Sequence, residues 1–231
     1  MKTEFHAARP DVLAFDVYGT LIDPDSLSET LRPVLGNDAE SVSAAWRARQ
    51  LTLAFRRGLM GRYVDFAVCT ADALRAVLAE QGHEVDEQTR QDWMDAYGAL
   101  PAHDDAAEGL RSLRGQGIRL VAFSNGTEAA MKNVLANAGL LELFDELVSV
   151  DDIKRFKPDP QVYLHLLRRM NSEPSRTWLV SSNAWDIQGA RHTGLGAAWI
   201  KRSHTAIEDE DLKPLVTVSS LVYLSDALPP S

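Results

Sequence analysis

Apolar residues recur with two different rhythms along this chain. Residues 12–15 are four apolar residues in a row, Val12-Leu13-Ala14-Phe15, which suits a strand buried on both faces. From about residue 28 to residue 97 the spacing turns helical and no strand is predicted. A helix is expected over 38–58, with Val42, Ala45, Trp46 and Leu53 on one face. Arg47, Leu51 and Phe55 fall on the opposite face at i, i+4 and i+8, so this helix is expected to pack on two sides. A helix over 64–80 follows, with Ala73, Leu74, Val77 and Leu78 as its stripe and Gly82 as its stop. A third, over 86–97, carries Trp93, Met94 and Tyr97. Leu100-Pro101-Ala102-His103-Asp104-Asp105 then breaks the pattern and marks a boundary.

Beyond the boundary short apolar runs alternate with amphipathic ones. Helices are predicted over 106–115, 127–137, 158–170 and 184–192, and strands over 118–123, 146–150, 177–180 and 197–200. That alternation predicts a parallel, doubly wound α/β sheet. Ligands of such sheets sit outside the carboxyl ends of the strands. Three of those ends are polar: Asp16, Ser124-Asn125 and Ser181-Ser182-Asn183. Each alone reads as a turn; three gathered at one sheet edge read as a site. For Asp16 two roles stay open, a cap on the following turn or a half-buried carboxylate with a chemical task.

Composition narrows the classes. With 231 residues, 45% hydrophobic and 25% charged, the chain is one large domain or a core with a sizeable insertion. A net charge of −9 argues against nucleic acid or an anionic membrane surface as partner. Cys69 is the sole cysteine, so no intrachain disulfide forms and a cytoplasmic setting is expected. Met1-Lys2-Thr3-Glu4-Phe5-His6 lacks a secretory apolar core, and no run approaches a membrane span. His6, His83, His103, His165, His192 and His204 have no metal-ligand spacing. Arg47 on an apolar helix face reads either as a snorkelling surface cation or as an anion clamp. The pairs Asp104-Asp105 and Asp151-Asp152 are expected as loop and cap residues.

Several motifs together resemble the haloacid dehalogenase superfamily, and within it the L-2-haloacid dehalogenases. They are Asp16-Val17-Tyr18-Gly19-Thr20-Leu21, Trp46-Arg47-Ala48-Arg49-Gln50-Leu51, Leu59-Met60-Gly61-Arg62-Tyr63-Val64-Asp65-Phe66, Ser124-Asn125-Gly126, Lys157-Pro158-Asp159 with Tyr163, and Ser181-Ser182-Asn183-Ala184-Trp185-Asp186. The resemblance implies a Rossmann-like core of residues 1–22 and 101–231 with an inserted all-helical cap subdomain, 23–100. A superfamily phosphatase would carry a second acid two residues after its nucleophile to protonate an alkoxide, and that position here is Tyr18. It would also pair two acids around Mg²⁺, where this chain has Ser182-x-x-x-Asp186. Halide leaves as an anion and needs neither.

The resemblance therefore implies a hydrolytic dehalogenase of short-chain L-2-haloacids, working without metal or cofactor and giving the D-2-hydroxyacid by inversion. Asp16 would attack the α-carbon and water would cleave the resulting ester. Lys157 would favour the charged form of Asp16. Arg47, with Asn125 and Phe66, would receive the halide. Ser124 and the backbone N–H groups near Val17 and Tyr18 would bind the substrate carboxylate, and Thr20 would hydrogen-bond near the nucleophile or simply close its turn. Ser181, Asn183 and Asp186 would fix Lys157, the ester carbonyl and the water, with the activating residue left open. Tyr163 would hold that network or serve as a core residue. Tyr18, Gln50, Leu51, Phe66 and Trp185 would line the pocket. A homodimer is compatible with the family. The competing readings are a phosphatase on the same fold and a non-catalytic carboxylate-binding protein.

Overall fold

A computed structural model describes residues 8–230. The segment Met1 to His6, read above for a leader, lies outside the described residues. Six strands form one sheet in the order β3-β2-β1-β4-β5-β6, every pairing parallel. They are β1 (Val12–Phe15), β2 (Arg119–Ser124), β3 (Glu146–Ser149), β4 (Thr177–Ser181), β5 (Gly196–Ile200) and β6 (Val216–Val218). The all-apolar β1 is central and fully buried, with Phe15 level with Ala122 on one side and Val180 on the other. The chain builds outward from β1 to β3, then returns to add β4 on the opposite side. The strand order reverses at β1, and Asp16 follows directly from it.

Side chains of β1 alternate between two apolar clusters, Leu13 and Phe15 in one and Val12 and Ala14 in the other. Five of the six strands match the expected runs. The edge strand β6 was missed because three half-exposed residues, Val216-Thr217-Val218, are too few to show a period.

Between β1 and the return to the sheet lie four helices and no strand: α1 (Leu27–Leu35), α2 (Ala39–Leu59), α3 (Phe66–Gln81) and α4 (Glu87–Tyr97). They form the inserted helical cap. Asp65 and Asp86 cap α3 and α4 through their carboxylates, and Gly82 ends α3 in the left-handed conformation its position predicted. Trp46, Leu74, Val77, Trp93 and Tyr97 join the cluster that contains Leu13 and Phe15, so cap and sheet share one core. The chain leaves and re-enters at one point, where Ile22 bridges both Tyr18 and Ala102 and the Asp23 N–H meets the Pro101 carbonyl at 2.9 Å. The remaining helices, α5 (Ala106–Arg114), α6 (Glu128–Asn137), α7 (Pro160–Met170), α8 (Ala184–His192) and α9 (Leu224–Ala227), complete the α/β layers. Among the described residues no helix is long and apolar enough to cross a membrane.

Candidate active site

The ends of β1, β2 and β4 are neighbours in the sheet, so the three polar strand ends do meet. Asp16 is 6% exposed, and its two oxygens have different surroundings. Oδ2 accepts from Asn183 Nδ2 at 2.7 Å, Thr20 Oγ1 at 3.0 Å and Ser181 Oγ at 3.3 Å. Among the described residues Oδ1 meets only Lys157 Nζ, at 3.4 Å.

Lys157, fully buried, lies nearer a second carboxylate: its Nζ is 2.8 Å from Asp186 Oδ2 and donates to the Phe123 carbonyl at 2.8 Å. The other Asp186 oxygen accepts from Tyr163 at 2.6 Å. Burial pushes the Asp186 carboxyl up, to about 6, against the opposing pull of Lys157; Asp16 adds to the rise. Tyr163, equally buried, is driven well above the ordinary phenol range by burial and then by Asp186. This packing tolerates no side chain at Gly189, whose added Cβ would collide with Tyr163 Oη and, at 2.7 Å, with Pro158 Cβ.

The turn after Asp16 is held from several directions. Thr20 Oγ1 accepts the Ser182 N–H at 2.8 Å while donating to Asp16, so it both closes the turn and orients the carboxylate. Gly19 sits at φ +89°, and a Cβ there would also come within 2.8 Å of Arg47 Nη2. The Val17 carbonyl accepts from Leu21 at 2.9 Å and Ile22 at 3.0 Å. Among the described residues no acceptor reaches the N–H of Val17 or Tyr18. Both are donors left for an anion beside Asp16.

From the cap, Arg47 reaches into this cluster. Its Nη2 donates to the Tyr18 carbonyl at 3.1 Å and to Asn183 Oδ1 at 3.4 Å. Of the two readings open for Arg47, the snorkelling surface cation does not hold: the guanidinium is half-buried among carbonyl and amide oxygens. Asn183 joins the two walls, giving its Nδ2 to Asp16 and its Oδ1 to Arg47.

A cavity of about 20 Å³ lies between them, room for about one water. Asp16, Ser124, Asn125 and Asn183 line it from the sheet, Arg47, Leu51 and Phe66 from the cap, and Tyr18 and Trp185 complete it. Asn125 Oδ1 accepts the Lys157 N–H at 2.9 Å, which leaves its amide N–H groups for the cavity. Ser124 Oγ accepts the Gly126 N–H at 3.2 Å and keeps its own proton to donate. Burial, with Tyr97 alongside, raises the Tyr18 phenol far above neutrality, so it is a poor proton donor.

Gln50, expected on the pocket wall, lies off it. It is fully buried within the cap, donating to Thr70 Oγ1 at 2.6 Å and accepting from Tyr97 at 3.0 Å. Both ends of its amide are committed to holding α2, α3 and α4 together. Tyr97 in turn stacks on Tyr18, with centroids 5.3 Å apart.

Sequence reasoning passed over Arg202. Its Nε and Nη2 donate to the Thr20 carbonyl at 3.0 and 2.8 Å, and it pairs with Asp105 at 2.7 Å. Asp105 was expected as a loop or cap residue, but its carboxylate makes no cap bond to α5; it also accepts from Ser220 Oγ and the Leu221 N–H, each at 2.8 Å. The signal was available, since Lys201-Arg202 is the polar end of the next strand, β5. Ser149, at the end of β3, is a comparable omission; it donates to the Gly126 carbonyl at 2.7 Å and steadies the Ser124 turn.

Fold and site together define a class: a capped α/β protein with an aspartate–lysine–aspartate cluster at the switch point of a parallel sheet. The chain belongs to the haloacid dehalogenase-like hydrolases, whose family pattern matches residues 10–194. It is 38% identical over 214 residues to an (S)-2-haloacid dehalogenase of Pseudomonas fluorescens, an alignment covering 93% of this chain and 94% of that one. It is 37% identical to another from Pseudomonas sp. strain YL, with 90% of each covered. A solved dehalogenase described as an intermediate complex superposes with a TM-score of 0.92 at 34% identity, over 96% of this chain and 99% of that one. The L-2-haloacid dehalogenase of Xanthobacter autotrophicus with chloropropionic acid covalently bound gives 0.86 at 30% identity, over 94% and 97%.

Proposed function

We propose that this protein hydrolyses short-chain L-2-haloacids to D-2-hydroxyacids and halide, with Asp16 as the nucleophile. One observation carries the reading: the cavity is lined by a single carboxylate, Asp16, facing a guanidinium, with no second acid to protonate a leaving group. Displacement of halide needs none. The relative holding chloropropionic acid covalently supports an ester intermediate.

In the first step Asp16 Oδ1, the oxygen with the fewer partners, forms the bond to the substrate α-carbon. The carbon–halogen bond breaks on the opposite side and the electron pair leaves with the halide. Arg47, Phe66 and the Asn125 amide receive it, while Ser124 and the Val17 and Tyr18 N–H groups hold the substrate carboxylate. In the second step water adds to the Asp16 carboxyl carbon and the bond to the hydroxyacid oxygen breaks; one water proton ends on that oxygen as the product hydroxyl, and the other leaves to solvent, restoring the Asp16 carboxylate. The Asp186–Lys157 pair steadies charge on the ester, with Ser181, Asn183 and Thr20 holding its other oxygen and Tyr163 holding Asp186. Trp185 and Leu51 keep bulk water out.

The reaction needs no cofactor or metal. The residues that would bind a hard cation are otherwise engaged: both Asp186 oxygens accept from Lys157 and Tyr163, and Ser182 Oγ donates to the Gly19 carbonyl at 2.6 Å. The same reading divides the chain into a core of 1–22 and 101–231 and a cap of 23–100, supported by the paired crossing at Ile22 and Ala102. It also includes a cytoplasmic setting, supported by a free, buried Cys69, and a homodimer, for which exposed Met60 and Val68 are apolar cap positions a second copy would cover.

The test is halide release from each enantiomer of 2-chloropropionate, with and without chelator. Chelator-insensitive release from the (S)-enantiomer alone is expected. Chelator-sensitive hydrolysis of p-nitrophenyl phosphate without halide release would favour a phosphatase, and no turnover of either would favour a carboxylate-binding protein.

A further inference from the structure

Beside the cavity at Asp16, about 20 Å³, lies a much larger apolar groove of about 460 Å³. Trp185 is a wall of both. On the cap side the two are joined by one helix face: Arg47 and Leu51 line the cavity, and Phe55 and Gly58, one and two turns further along α2, line the groove. Phe156 and Pro158 form its opposite wall, adjoining the Lys157 backbone. Phe55, on the groove wall, packs edge-on against Trp185, which walls both spaces, with ring centroids 5.2 Å apart at 73°.

We propose that this groove is the subsite for the alkyl tail of longer 2-haloacids, with Phe55 setting the chain length admitted. The inference rests on the dehalogenase reading above and gives its site a direction. The charged end of the substrate is held at the strand ends, where Asp16, Ser124, Asn125 and Asn183 face Arg47. An apolar continuation shared with that cavity runs past Trp185 along α2, whereas the neighbouring groove that shares Asn183 and Trp185 carries the polar Ser182, Gln188, Ser203, Thr205 and Glu208. A saturated chain matches the groove because Phe55, Leu59, Phe156, Pro158, Pro160 and Trp185 make most of its wall, and the Asp159 carboxylate there is paired with Arg155 at 2.7 Å. Phe55 meets the site through Trp185, a wall residue that makes no bond to the reacting atoms, so its effect should fall on selectivity. Gly58 supplies an independent probe. A Cβ placed there meets only the Phe156 ring, at 3.8 Å, so a larger residue fits on the backbone and projects into the groove.

The experiment measures kcat/KM of the full-length protein for (S)-2-chlorohexanoate and (S)-2-chloropropionate, and follows their ratio. Phe55→Ala should raise the ratio by at least about tenfold, the gain from burying about two methylenes. Phe55→Leu, which keeps an apolar group against Trp185, should raise it less and guards against loss of folding. Adding Gly58→Leu to Phe55→Ala should return the ratio towards that of the wild type. A folded Phe55 variant with an unmoved ratio, or a raised ratio that Gly58→Leu leaves intact, would overturn the tail subsite alone. Wild-type protein that releases no halide from 2-chloropropionate would instead overturn the dehalogenase reading and the subsite with it.

Discussion

On the sheet side of the cavity the charged side chains are already bonded to other side chains: Asp16 Oδ2 takes three donors, Lys157 spans two carboxylates, and Asp186 gives each oxygen to a different partner. On the cap side Arg47 makes two longer bonds through a single nitrogen, while Leu51 and Phe66 contribute only apolar surface. The sheet wall is preorganised around charge present before substrate binds. The cap wall retains unused guanidinium donors for charge that develops only as a leaving group departs. Preorganised groups that act only on developing charge are the ones that lower the barrier rather than merely bind. Damage to the sheet wall should therefore cost structure as well as rate, whereas damage to the cap wall should cost rate alone.

The largest effect is expected at Asp16. Asp16→Asn should abolish halide release, by about 10⁴-fold or more, because no other group on the cavity wall can take over as nucleophile. Lys157→Met tests the structural half of the contrast. It leaves Asp16 and Asp186 buried without their cation, so chemical denaturation should report a loss of about 3–5 kcal/mol together with lost turnover. Arg47→Ala tests the other half: kcat should fall by about 10²–10³-fold, with stability changed by no more than about 1 kcal/mol. Equal destabilisation by the two substitutions would erase the distinction between the walls.

A smaller effect is expected from Tyr163→Phe, read in the pH profile. With Asp186 raised from 3.8 to about 6, the folded protein holds a proton there that the unfolded chain releases. The stability this group contributes is complete below about pH 4 and lost as pH rises through about 6. Activity follows the opposite course, since only ionised Asp186 pairs with Lys157, and the acid limb of kcat/KM should fall near pH 6. Tyr163 donates to the carboxylate and favours its charged form, so Tyr163→Phe should move that limb to higher pH. An unmoved limb would mean that Asp186 does not govern it.

Legibility in the sequence follows the same division. Asp16, Ser124-Asn125 and Ser181-Ser182-Asn183 were readable because apolar strands punctuate them, and a parallel sheet must gather its strand ends. Arg47 was visible as a cation on an otherwise apolar helix face. That it meets Tyr18 and Asn183 depends on how the cap sits over the sheet, which helical periodicity alone does not encode. Gln50 lies one turn from Trp46 on the same helix, and only the packing of α3 and α4 turns its amide away from the cavity. Arg202 is marked locally only as the polar end of β5; its partners, a backbone carbonyl 182 positions earlier and an aspartate 97 positions away, leave no local pattern.

The central claim is that Asp16 attacks carbon and is itself hydrolysed. A single turnover with excess enzyme in H₂¹⁸O, followed by mass spectrometry of product and protein, addresses it directly. The first hydroxyacid formed should carry the unlabelled Asp16 oxygen, and one ¹⁸O should appear in the peptide containing Asp16. Label in the first-turnover product, with none at Asp16, would mean that water attacks the substrate itself and would contradict the account.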